Sequence, residues 1–100
     1  MTPSQRNELR GALQARRSIL VNEITAEAGR TALDEADAAD EMRDHAELQA
    51  IDAALRRLQD GGYGVCVDCG AAVGLERLRA EPQAARCIGC QRRHEKTYPS

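Results

Sequence analysis

One hundred residues bound a single domain, and a chain of that length buries only about two thirds of the surface its unfolded form exposes. With no Phe, no Trp, only Tyr63 and Tyr98 as aromatics and 30% charged residues, the composition excludes a core anchored on large rings and suits long exposed helices. The net charge of -2 is unevenly spread: residues 31–60 hold three basic against nine acidic side chains, which argues against that segment lying on phosphates.

The N-terminal stretch "MTPSQRNELR" has no apolar core of a signal peptide, and no apolar run approaches the roughly 18 residues of a spanning helix. A soluble cytoplasmic protein without membrane contact is expected. Thr2, Pro3 and Gln5 form a capping-box start, with Thr2 as N-cap and Pro3 at the first helical position. Leu9, Leu13, Leu20 and Ile24 follow at helical spacing and Gly29 sits where a glycine cap belongs, so a first helix is predicted over 3–28, with Arg16 and Arg17 snorkelling or pointing outward. Thr31 with Asp34 repeats the capping signature, and a second helix is predicted from 31 to Asp60, where "GGYG" breaks it.

So short a link makes the two helices antiparallel neighbours. Leu48, Ile51, Leu55 and Leu58 supply the heptad seam facing the first helix, and the seam fades toward Met42, Ala39 and Ala36. The expected fold is mainly α: an antiparallel coiled-coil hairpin over 1–60 with an acidic tip near 29–40, then, on the four cysteines Cys66, Cys69, Cys87 and Cys90, a small C4 zinc finger with a short C-terminal helix over 61–100. At 1.5 Å per residue the rod is about 40 Å long.

Cys66, Cys69, Cys87 and Cys90 read C-x2-C-x17-C-x2-C. Two tight knuckles, with Gly70 and Gly89 expected to lend backbone freedom, bring four thiolates to one point and fill the tetrahedral shell of one structural Zn2+. No ligand position is left for an activated water. A redox dithiol would need a strand-and-helix scaffold that residues 61–100 do not offer, and the symmetric pairs favour zinc over an iron–sulfur cluster. His45 and His94 are spare to a full shell.

The cysteine spacing, "CIGCQRRHEK", "GLERLRAEP" between the pairs and "DEADAA" at the head of a long helix together resemble the DksA/TraR family of bacterial transcription regulators, over roughly residues 31–96. The resemblance implies a monomer that binds RNA polymerase itself, with the hairpin entering the secondary channel and no sequence-specific DNA contact. The family's tip pattern D-x-x-D-x-A falls on Asp34, Asp37 and Ala39, the residues through which these regulators act near the polymerase active centre. Set against the longer DksA proteins, the resemblance leads to the expectation of a shorter arm between tip and first cysteine and of no extra N-terminal segment. Aligning on the cysteines places Glu81 and Gln91, and on the second helix Ala50, where ppGpp-responsive members carry Arg or Lys. Losing three cations forfeits most of the attraction for a phosphate-rich ligand, so action without ppGpp is expected.

An ordinary helix start accounts for Thr31, Asp34 and Glu35, since carboxylates in a first turn offset the dipole. It does not account for Asp37, Asp40 and Asp44, which crowd like charges along one face. Asp34 and Asp37 are assigned the functional role, in pairing with polymerase Arg and Lys more than in holding Mg2+, and Asp40 and Asp44 a solvated flank. The rival reading is a zinc-ribbon nucleic-acid-binding module using Arg77, Arg79, Arg86, Arg92, Arg93 and Lys96, without any aromatic stacking residue beside them. An enzyme is not expected, because no base, nucleophile or pocket-forming element accompanies the aspartates.

Overall fold

The computed structural model describes residues 1–28 and 35–97, and the side chains of 1–26 and 43–96. Among the described residues four helices follow in chain order: α1 Pro3–Ala28, α2 Glu35–Asp60, α3 Leu75–Ala80 and α4 Ile88–Thr97. The two long helices form the hairpin, and the two short ones belong to the cysteine-bearing segment.

The start of α1 is the predicted capping box. Thr2 Oγ1 accepts from the Gln5 N–H at 3.1 Å while Gln5 Oε1 accepts from the Thr2 N–H at 3.0 Å, so two donors left over by helix geometry are satisfied reciprocally. The end of α2 is equally sharp. Gly61 takes φ +90, and the Arg57 carbonyl then accepts from the N–H groups of Gly61 and Gly62, both at 2.9 Å, which closes the last turn. The predicted cap at Thr31 and Asp34, and the glycine cap at Gly29, lie outside the described residues.

Leu9, Leu13 and Leu20 of α1 are buried to within 1% of full enclosure, facing Ile51, Ala54 and Leu58 of α2. Each fully buried Leu or Ile contributes roughly 1.5–3 kcal/mol. The seam on α2 differs from the one predicted: Ala54 is fully buried, whereas Leu55 and Leu48 only flank it, half-buried. A small side chain at the centre allows close approach of the two backbones, and the leucines close the margin. Ile24 is likewise half-buried. Arg16 and Arg17 do more than point outward, because they reach across the hairpin. Arg16 grips Glu47 with two bonds, Nε to Oε1 at 2.9 Å and Nη2 to Oε2 at 3.0 Å, and Arg17 Nε meets Asp52 Oδ1 at 2.7 Å.

The hairpin core runs on into the second segment without a break, through Tyr63, Val73, Leu78 and Ala84 to Cys66 and Cys90. Two polar ties lie there, one within the second segment and one across the joint. The Tyr63 hydroxyl donates to the Pro82 carbonyl at 2.9 Å, and Arg79 on α3 pairs with Glu8 on α1 at 3.1 Å. Burial pushes the Tyr63 phenol up to about 12, with the nearby Arg57 guanidinium pulling the other way.

Candidate metal centre and hairpin tip

The first cysteine pair sits on a small antiparallel turn. Val65 and Ala72 form a β-bridge, the Cys66 N–H donates to the Ala71 carbonyl at 2.8 Å and the Gly70 N–H to the Cys66 carbonyl at 3.0 Å. Gly70 closes the turn at φ +77, a conformation side-chain-bearing residues rarely adopt. The second pair is built differently. Cys87 immediately precedes α4 and Cys90 lies in its first turn, with the Gln91 N–H donating to the Cys87 carbonyl at 2.9 Å. Gly89 is an ordinary helical residue, contrary to the expectation that it lends a knuckle its freedom. The helix itself turns the chain there, and its N-terminal end favours the negative sulfurs.

These two devices bring all four Sγ atoms within 4.8 Å of one another, and Cys69 Sγ lies 3.8 Å from Cys87 Sγ. A tetrahedron of sulfurs about 2.3 Å from a zinc ion has an edge of about 3.8 Å, so the donor set fits that metal. No disulfide links these cysteines. The backbone N–H groups of Cys69 and then Cys87 pull the Cys66 thiol down to about 6. The Cys90 N–H lowers Cys87, while hydrogen bonding with Cys87 and burial push Cys90 up to about 12. Four thiolates so close repel each other, and a dication relieves that repulsion. The site therefore takes one structural Zn2+, held by Cys66, Cys69, Cys87 and Cys90 with no position open for water. Neither His45 nor His94 joins this cluster.

Around the sulfurs the structure places polar groups that sequence inspection did not assign to the site. Arg93 Nη2 donates to Cys90 Sγ at 3.2 Å, Arg86 Nε to Asp68 Oδ2 at 2.7 Å, and Arg77 Nε to the Arg86 carbonyl at 2.9 Å. The only local hint was an aspartate inside the first knuckle and an arginine next to the second. Together with the Arg79–Glu8 pair, these contacts engage four of the six basic residues on which the nucleic-acid reading rested. At the other end, Asp34 lies outside the described residues, and Asp37 and Ala39 lie on the backbone of α2 near its start, their side chains outside the described set. Asp44 is half-buried and close enough to Arg16 to help hold its charge. Ala50, Glu81 and Gln91 line a single cleft of about 420 Å³ between α2 and the finger.

A helical hairpin continuous with a C4 zinc finger defines the structural class, and comparison with known proteins narrows it. Residues 61–96 match the model of the prokaryotic dksA/traR C4-type zinc finger. The structure of the transcription factor DksA2 from Pseudomonas aeruginosa superposes with a TM-score of 0.77 at 33% identity, covering 100% of this chain and 90% of that one. The chain belongs to the DksA/TraR family. The fold is also that of the RNA polymerase binding protein and transcriptional regulator Dks from Chlamydia trachomatis, with a TM-score of 0.74, 23% identity and coverage of 100% and 98%. The RNA polymerase-binding transcription factor DksA of Caulobacter vibrioides is 47% identical over 49 residues, and that of Escherichia coli K12 35% over 49 residues. Those matches span 49% of this chain but only 34% and 32% of the two relatives, about a third of their length.

Proposed function

We propose that this chain is a cytoplasmic transcription regulator that binds RNA polymerase directly, as a monomer, and inserts its acidic hairpin tip into the secondary channel to modulate initiation. The observation that carries this reading is the likeness to DksA2 along the whole chain, hairpin and finger together, at 33% identity. Relatives matched in sequence are named as RNA polymerase-binding transcription factors. Asp34 and Asp37 supply the charge that meets basic groups of the polymerase, and Ala39 matters by being small. The chain acts as a regulator and not as a catalyst.

Action without ppGpp belongs to the same reading. The cleft lined by Ala50, Glu81 and Gln91 does contain Arg77, Arg86 and Arg92. Arg77 is already engaged with the Arg86 carbonyl and Glu81, and Arg86 with Asp68, so little positive charge is left for a polyphosphate. The nucleic-acid alternative draws no support from the finger, where only Arg92 and Lys96 of its six cations lack an internal polar partner among the described residues.

The test is transcription in vitro from a ribosomal-type promoter with purified polymerase. Wild-type protein changes the transcript yield, Asp34→Asn/Asp37→Asn binds but leaves the yield unchanged, and Ala39→Leu impairs activity without unfolding the hairpin. A wild-type protein that neither binds polymerase nor alters yield refutes the proposal, and saturable ppGpp binding at the interface refutes its ppGpp-independent part.

A further inference from the structure

The two halves of the metal site come from chain segments about twenty residues apart, and the metal is the obvious thing joining them. It is not the only one. Arg86, immediately before Cys87, donates from Nε to Asp68, which sits between Cys66 and Cys69, at 2.7 Å. One residue earlier in each segment, the Val67 N–H donates to the Ala85 carbonyl at 2.9 Å. Arg86 is itself anchored from behind, because its carbonyl accepts from Arg77 Nε on α3. Arg86 is the more enclosed partner, with 26% of its side chain exposed against 45% for Asp68.

We propose that Asp68 and Arg86 are positioning residues for the zinc site: an ionic clasp that holds the two C-x2-C halves in register, so that the metal meets ligands already gathered. The physical reason is entropic. Without a cross-link, zinc must bring together two independently moving segments, and that ordering cost is subtracted from its affinity. A charge-assisted bond at 2.7 Å beside a backbone bond takes over part of the ordering before the metal arrives. Arg86 carries the larger share, being the more enclosed partner of the pair. The Asp68 backbone N–H bonds the Cys66 sulfur, a contact that survives replacement of the side chain, whereas its carboxylate meets Arg86 and works through it.

That chain of action sets the test, which reads metal binding and not transcription. The affinity of the full-length protein for Zn2+ is measured by competition with a chromophoric chelator, with Co2+ absorption reporting whether the tetrathiolate site still forms. Arg86→Ala lowers affinity about tenfold, the lower end of what outer-shell partners of metal ligands contribute. Asp68→Ala lowers it about threefold to fivefold, in the range of a partly exposed ion pair. The double variant is no weaker than Arg86→Ala by more than about twofold, because Asp68 has nothing left to act through. Affinities unchanged in both single variants overturn the proposal, as do losses that multiply in the double variant. Both variants keep the helical circular dichroism of the parent, and loss of that signal in Asp68→Ala also overturns the proposal, by making the pair a support of the whole fold.

Discussion

The hairpin and the finger solve the same problem, holding together a chain short of aromatic residues, by opposite means. The hairpin uses length: 26 residues in each helix line up Leu9, Leu13 and Leu20 against Ile51, Ala54 and Leu58, and surface ion pairs such as Arg17–Asp52 close over the seam. The finger has only 6 and 10 helical residues and one isolated β-bridge among its described residues, so beyond the few apolar side chains that extend the hairpin core, Tyr63, Val73, Leu78 and Ala84, it relies on four sulfurs, a metal and a few polar ties. One region is held by many weak contacts and the other by one strong centre. The two should therefore fail separately, and each prediction below challenges that separation.

The largest effect is metal removal. Structural zinc contributes on the order of 10 kcal/mol to small finger folds. Chelation should open the chain to proteolysis beyond Gly61, yet leave most of the helical dichroism intact, because α1 and α2 supply most of the helix. Collapse of the whole helical signal together with zinc release would break the comparison. Next comes Leu20→Ala, deep in the seam, expected to cost about 2–5 kcal/mol of hairpin stability while leaving zinc affinity unaltered. Thermal unfolding and chelator competition on the same variant check both halves of that statement.

Tyr63 sits at the joint, and its removal should be felt on both sides. Tyr63→Phe leaves the Pro82 carbonyl without its donor and costs about 1 kcal/mol. The phenol has a folded pKa of about 12 against an ordinary value of 10.0, so the fold favours its neutral form. That contribution is complete below pH 10 and fades as pH rises toward 12. Tyrosinate absorbance in a Tyr98→Phe background should titrate late, and Tyr63→Phe should flatten this alkaline loss of stability.

The smallest effect belongs to Glu47, whose carboxyl is held below its ordinary value by the hydrogen bond from Arg16. A depressed acid stabilises the fold above its unfolded pKa and ceases to do so as pH falls through the folded one. Melting temperature followed from pH 7 downward should drop less steeply in Glu47→Gln than in the parent, most visibly at low salt, with no change in zinc binding.

How much of this was legible beforehand depended on the range of the signal. The Thr2–Gln5 box, the Gly61 stop and the C-x2-C pairs are local patterns, each set by geometry within a few residues, and they read correctly. The seam on α2 was read with Ile51 and Leu58 in the core and with Leu48 and Leu55, which pack against it, but Ala54 was missed, because rotating a helix slightly leaves its periodicity intact and only the partner helix decides that Ala54 lies innermost. Gly89 misled for a related reason: a glycine between cysteines suggests a knuckle, but α4 makes the turn without needing positive φ. The ties Arg16–Glu47, Arg79–Glu8 and Arg86–Asp68 join residues 31, 71 and 18 apart in sequence, and no local pattern announces such pairs. Four arginines read as a loose basic patch turned out to be fastenings.

Site-specific crosslinking to RNA polymerase tests the central claim most directly, with a photoreactive residue placed at Ala38 beside the tip aspartates or, in a second protein, at Lys96 on α4. The account predicts that the probe at position 38 crosslinks to polymerase segments lining the secondary channel near the active centre, and that Asp34→Asn/Asp37→Asn changes transcription more than it changes this contact. Crosslinks to promoter DNA from position 96, with none to polymerase from position 38, would contradict it.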